Sequence, residues 1–174
     1  YLKKNKTYTF EIIFGLQTDT DDPLGIIEKM DNSNQKEKLR FINSQLKKID
    51  GVLNRYNKLC FVQKFHNYSS KTINGKPLWY YKKNNINIKQ PEHQVEIFNI
   101  TKFNIKKYNF NNWKNNIIKQ INSIDKSKDF NQENIIKQWE SINLNIIYSL
   151  PIEISVSSGF YIRQFVRDIS NKIN

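Results

Sequence analysis

Arg163 and Arg167 stand four residues apart in Ser155-Val-Ser-Ser-Gly-Phe-Tyr-Ile-Arg-Gln-Phe-Val-Arg-Asp168, so on a helix they share one face. The chain holds 24 lysines but only four arginines, and half of the arginines fall within these few residues. A guanidinium is planar and grips a carboxylate or phosphate through two parallel hydrogen bonds, which an ammonium cannot do. Arginine kept against a six-to-one lysine background therefore marks a place where an acidic group is held in fixed geometry. The plainer reading is a surface helix with Arg167 paired to its neighbour Asp168. Gly159 suits a strand-to-helix turn where backbone passes close to a ligand.

A second segment, Gln63-Lys-Phe-His-Asn-Tyr-Ser-Ser-Lys-Thr-Ile-Asn-Gly-Lys-Pro-Leu-Trp79, interleaves aromatics with lysines. Tyr68, Trp79, Tyr80 and Tyr81 alternate with Lys71, Lys76, Lys82 and Lys83. Aromatic faces stack on unpaired bases and lysines hold phosphates, a composition suited to looped or single-stranded RNA. It is equally compatible with core aromatics beside ordinary surface lysines. A third segment, Gly15-Leu-Gln-Thr-Asp-Thr-Asp-Asp-Pro-Leu-Gly25, invites a cation-site reading through Asp19, Asp21 and Asp22. An EF-hand register starting at Asp19 puts Met30, not glutamate, at its twelfth position. A turn closed by Asp and Thr side chains is the favoured reading.

Composition narrows the field. The 174 residues carry a formal charge of +12, and Lys, Asn and Ile make up 43% of them, with no alanine at all. That skew resembles a genome-wide bias, so the charge points to a polyanionic partner such as nucleic acid less firmly than its size suggests. Eleven Phe, nine Tyr and three Trp are too many for a disordered chain, and the length suits one domain with a real core. One cysteine, Cys60, excludes an internal disulfide framework, and with two histidines a metal site is not expected. No apolar run approaches a membrane span, and a reducing cytoplasm is the default location. The chain starts without methionine and stops directly after a motif; the expectation is a piece of a longer protein, cut at both ends.

These segments need elements to carry them. Alternation at Tyr8, Phe10, Ile12 and Phe14 predicts a strand. Asn34 with Glu37 resembles a capping box, opening a helix with Leu39, Ile42, Leu46 and Ile49 on its apolar stripe and Gly51 as its stop. Strands follow at 59–65, at Val95, Ile97 and Asn99, and at 152–157, with a short helix at 78–83. Two amphipathic helices lie between 111 and 142, lined by Ile117, Ile118, Ile121 and Ile124, then by Ile135, Ile136 and Trp139. The stretches 82–90 and 104–116 read as surface elements or loops. A last helix turns Ile162, Phe165 or Val166, and Ile169 inward. The order predicts an α+β fold with a mixed, mainly antiparallel sheet flanked by helices.

Taken in order, Lys6-Thr-Tyr8, Gly15 to Gly25, Gln63 with Tyr68-Ser-Ser-Lys and Gly75-Lys-Pro-Leu, and Ser158-Gly-Phe-Tyr-Ile-Arg163 with Asp168 resemble the bacterial tRNA pseudouridine synthases of the TruB type. The resemblance implies a pseudouridine synthase-like fold and isomerisation of the T-loop uridine at tRNA position 55. That uridine is flipped out of the T-arm, and the reaction uses no cofactor and no metal. It assigns Tyr8 as platform for the target base and candidate proton carrier, and Arg163 as partner of the catalytic aspartate. Tyr161 becomes a pocket aromatic, and Tyr68, Ser69, Lys71 and Arg167 substrate-binding residues. A monomer with no membrane association is expected.

The departures are specific. The family's aspartate lies in a Gly-x-Leu-Asp-Pro type motif ahead of the tyrosine, and no such motif occurs here. Asp19, Asp21 and Asp22 fall in another segment and are not its substitutes. A downstream leucine-arginine segment and a C-terminal RNA-binding domain are also missing. Phe65-His66-Asn67 stands where prolines usually follow the glutamine, and 104–146 reads as a helical insertion that could contact RNA. The expectation is a partial catalytic domain, inactive alone. The competing expectation is a catalytically dead homologue that binds or chaperones RNA, and beyond it a generic basic domain whose motif matches are chance.

Overall fold

The alternating and capped patterns of the chain account for most of the observed elements. The structure, a computed structural model, describes residues 5–125 and 131–173. In order they form β1 (Lys6–Phe14), β2 (Leu16–Thr18), β3 (Ile27–Met30), α1 (Gln35–Tyr56), β4 (Cys60–Lys64), β5 (Thr72–Ile73), β6 (Lys76–Pro77), α2 (Leu78–Lys83), β7 (Glu92–Lys102), β8 (Lys106–Asn109), α3 (Phe110–Asn122), α4 (Gln132–Ser141), β9 (Ile146–Val156) and α5 (Ile162–Ile173). The main sheet has the strand order β1-β9-β7-β4, with β8 also pairing β9. β4 lies antiparallel to β7, with Cys60 opposite Glu96 and Lys64 opposite Glu92, and β8 lies antiparallel to β9. β2–β3 and β5–β6 are antiparallel hairpins. The fold is α+β with mainly antiparallel pairing, as predicted. No described helix is long and apolar enough to cross a membrane.

Two compact units are described separately. One comprises residues 5–9, 46–101 and 153–173. Its helix α5 is seated by four rings: Tyr56 lies 4.8 Å from Phe61 and 5.3 Å from Phe165, and Phe160 lies 6.3 Å from Phe61 and 5.5 Å from Phe165. Each such edge-on pair adds about 0.5–1.5 kcal/mol to plain burial. Lys48 Nζ donates to the Ile173 carbonyl at 2.9 Å, at the far end of α5.

The other unit comprises residues 10–45 and 102–152. Here Phe110, Ile117 and Ile121 of α3 bury against Ile135 and Trp139 of α4, and Leu16, Leu24 and Ile27 pack on the same cluster. Trp139 Nε1 donates to the Pro23 carbonyl at 3.1 Å, and Ile27 N donates to Gln138 Oε1 at 3.0 Å. The apolar faces of both predicted helices are therefore spent on the β2–β3 hairpin and its turn. Within that turn Asp19 Oδ1 accepts from Ile26 N at 2.8 Å, and Asp22 Oδ1 accepts from Leu24 N at 2.9 Å and Thr20 Oγ1 at 2.8 Å. The carboxylates close the loop, as the turn reading expects. A Cβ at Gly25 would collide with Thr20 Oγ1 and Asp19 Oδ1, so glycine alone fits there. Glu11 takes Tyr108 OH at 2.8 Å and Lys106 Nζ at 3.1 Å. Burial pushes its carboxyl up, and these donors more than offset that, leaving it below the ordinary range.

Several expectations are corrected. The capping box is real, with Glu37 N donating to Asn34 Oδ1 and Asn34 N to the Glu37 carboxylate, but Gly51 does not end α1. The buried stripe continues through Val52, Leu53 and Tyr56, and the left-handed residue that stops the chain is Lys58, φ 58°. The segment 15–25 is not all loop, because β2 opens it. Asn99 of β7 faces solvent, while Val95 and Ile97 are buried. The stretch 104–116 contains β8 and the start of α3. β9 begins six residues before the predicted strand, because Ile147 to Ile152 are buried without alternation, a pattern of strands covered on both faces. Gly51 is exposed in mid-helix, and nothing lies within 4 Å of an added Cβ. Gly51→Ala is therefore expected to stabilise the protein by about 0.5–1 kcal/mol, raising Tm by roughly 1–4 °C in thermal denaturation; an unchanged or lower Tm contradicts that helix.

Candidate active site

Strand β4 alternates so that Phe61 and Gln63, with Phe65 just after the strand, leave the solvent side to Val62 and Lys64. That places a carboxamide inside: Gln63 is 1% exposed. A buried amide needs both a donor and an acceptor as partners. It finds both on one residue of the turn that follows β9. Gln63 Nε2 donates to the Tyr161 carbonyl at 3.1 Å, and Tyr161 N donates to Gln63 Oε1 at 2.9 Å. The Tyr161 carbonyl also accepts from Phe165 N at 3.0 Å, the first bond of α5. Gln63 thus fixes the residue from which α5 starts.

The turn before it is held from the other side. Gly159 adopts φ 92°, a left-handed conformation that disfavours any other residue. Its carbonyl accepts from His93 Nε2 at 2.9 Å. The His93 ring lies 4.1 Å from Phe65 and 6.0 Å from Tyr161, and Phe65 lies 5.3 Å from Tyr161. Lys71 Nζ sits 5.2 Å from the Phe65 centroid, a cation–π contact.

At the second residue of α5, Arg163 Nη2 donates to the Tyr68 carbonyl at 3.1 Å. Tyr68 belongs to a tight turn in which Tyr68 N donates to His66 Nδ1 at 3.2 Å and Ser69 N to the His66 carbonyl at 3.1 Å. His66 is completely buried and serves that turn. Ser69 is 4% exposed, and its hydroxyl has no hydrogen-bond partner among the described residues. Further along α5, Gln164 Nε2 donates to Asp168 Oδ1 at 2.8 Å. Burial holds the Asp168 carboxyl above the ordinary range, although Gln164 and the cations Lys172, Lys64 and Arg167 pull the other way.

Residues 1–119 match the family described as TruB family pseudouridylate synthase (N terminal domain). The chain belongs to that family. It is 30% identical over 171 residues to the tRNA pseudouridine synthase B of Ureaplasma urealyticum serovar 10, covering 98% of this chain and 54% of that protein. It is 32% identical over 101 residues to the tRNA pseudouridine synthase B of Staphylococcus saprophyticus, covering 58% of this chain and 31% of that protein. The chain thus spans about half the length of the first relative and a third of the second.

Within this TruB-family chain, contacts tie together most of the residues singled out by sequence. Arg163 meets Tyr68, and Tyr161 and Lys71 both meet Phe65. Tyr8, half-buried on β1, is touched by none of these contacts, and Arg167 acts on the Asp168 carboxyl further along α5. Three residues without an assigned role emerge as the ones that hold the site: Gln63, Phe65 and His93. The alternation of β4 was the available signal for Gln63. His93, 66 residues from Gly159, gave none.

Asp168 supplies a pH test. A carboxyl whose folded pKa is raised binds its proton more tightly in the native state, so it subtracts from stability as pH rises from the ordinary carboxylate range through the raised value. Asp168→Asn keeps an acceptor for Gln164 and removes that cost. Its Tm is expected to exceed that of the parent at pH 7 and to converge with it below about pH 4; an equal deficit at both pH values contradicts the burial.

Proposed function

We propose that this chain is the central part of the catalytic domain of a tRNA pseudouridine synthase that isomerises the T-loop uridine at position 55. The observation that carries the reading is direct contact between two motif segments far apart in sequence: Gln63 with Tyr161, 98 residues apart, and Tyr68 with Arg163, 95 apart. The family match over residues 1–119 and the names of the two relatives support the reaction class.

In the reaction the uracil leaves C1′ by breaking the bond to N1 and returns by bonding C1′ to C5. C5 loses a proton and N1 gains one, so no oxidant or cofactor is consumed. An aspartate from a segment outside these 174 residues begins the chemistry. Arg163, steadied by the Tyr68 carbonyl, keeps that carboxylate ionised and oriented, a task a bidentate guanidinium suits. Tyr161 walls the pocket with Phe65. Tyr8 packs on the flipped base, a platform role that a flat aromatic ring suits. Tyr68, Lys71 and Arg167 contact the T-arm near the target, and Ser69, buried in the turn, supports them rather than touching RNA. The segment 104–146 is a helical insertion, and an N-terminal nucleophile segment and a C-terminal RNA-binding domain complete a monomer of the cytoplasm.

The test is the complete gene product on an unmodified tRNA transcript, with pseudouridine read by carbodiimide adduct and primer extension. A stop one nucleotide 3′ of position 55 is expected from the complete protein and none from residues 1–174 alone. Tight tRNA binding without isomerisation would instead favour an RNA-binding homologue. Arg163→Lys is expected to cut turnover about 100-fold with tRNA affinity held within about threefold. Equal losses in rate and affinity would make Arg163 a phosphate contact.

A further inference from the structure

His93 lies within the family match but outside the motif segments singled out in the sequence, yet it holds the turn that those segments build. We propose that His93 is a positioning residue for the active site: it fixes the Gly159 carbonyl and so the approach of Tyr161 and Arg163. This rests on the pseudouridine synthase reading of the same site.

The chemistry of the contact sets the ring's state. A carbonyl oxygen only accepts, so Nε2, 2.9 Å from Gly159 O, carries the proton. The other ring nitrogen, Nδ1, is buried with no hydrogen-bond partner among the described residues. The ring is therefore oriented by one donated bond and by packing. Gly159 has no side chain of its own to anchor its backbone at φ 92°, and glycine is permissive, so the bond to its carbonyl restrains the turn. An added Cβ there would meet His93 Nε2 at 3.5 Å, which shows how closely the ring caps the turn.

Packing completes the device. His93 and Phe65 pack as a tilted pair, with centroids 4.1 Å apart and planes at 35°. Tyr161 meets both rings edge-on, at 5.3 Å and 6.0 Å. Losing His93 would free the Gly159 carbonyl two residues from Tyr161 and four from Arg163, while Gln63 still holds the Tyr161 peptide. The expected result is misplacement rather than unfolding.

Three variants of the complete gene product separate donor from ring. His93→Phe keeps a ring without an N–H, His93→Gln keeps an N–H at similar reach without a ring, and His93→Ala keeps neither. Against tRNA transcript, His93→Ala and His93→Phe are expected to lower kcat about tenfold or more with KM within about twofold, and His93→Gln to recover most of the loss. Parent-like kcat in His93→Phe, or matched losses in kcat and tRNA binding, would overturn the proposal. A readout independent of RNA is the 15N spectrum of labelled histidine, assigned by the signal missing in His93→Gln. A protonated Nε2 with a bare Nδ1 is expected, and the opposite tautomer overturns the contact. A parent protein without isomerase activity sinks the functional reading alone; the tautomer then still decides whether His93 holds the turn.

Discussion

One buried carboxamide organises the site. Gln63 projects inward from β4 and spends its donor and its acceptor on the peptide of a single residue, Tyr161. Each such bond contributes only about 1 kcal/mol net, but an unpaired buried amide would cost about 1–3 kcal/mol per group. The geometry is therefore fixed more by what a broken contact would cost than by what the intact one gains. Because the Tyr161 carbonyl also opens α5, the same bracket sets where that helix begins and which way Arg163 leaves it.

Packing around the bracket is aromatic on both flanks. Tyr56, Phe61, Phe160 and Phe165 seat α5 from below, and Phe65, His93 and Tyr161 line the other side of the turn. Rings meeting edge-on lock one another's orientation as well as burying area. Between them the Gly159 carbonyl is held by His93 and the Tyr161 backbone by Gln63. In the 15–25 loop the carboxylates of Asp19 and Asp22 accept from the loop's own amides, and Trp139 and Gln138 brace the hairpin that carries them.

Much of the fold was legible in the sequence because its signals are local. The capping box at Asn34, the isoleucine stripes of α3 and α4 and the alternation into Val156 each declare an element within one or two turns of chain. The failures also have local causes. Gly51 reads as a stop, but a glycine ends a helix only when it takes the left-handed conformation, and here Lys58 does so. The first half of β9 is buried on both faces and so lacks the alternation that would reveal it. In the site, Arg163 stood out because arginine is rare in this chain, and Tyr68, Lys71 and Tyr161 because they sit in recognisable motifs. Gln63 was visible as part of a motif but its task was not, and His93 was silent. Both act through contacts spanning more than 60 residues, which no local pattern encodes.

The bracket between Gln63 and Tyr161 can be tested without RNA, substrate or any assumption about the reaction. Native-state hydrogen exchange by NMR reads the Tyr161 amide directly, since its proton is the one given to Gln63 Oε1. Tyr161 N–H should exchange as slowly as the core amides of β9, and Gln63→Leu should abolish that protection while leaving β9 protected. A Tyr161 amide that already exchanges as fast as the exposed Ser158 and Gly159, or one whose protection survives Gln63→Leu, would contradict the claim that this carboxamide holds the site together.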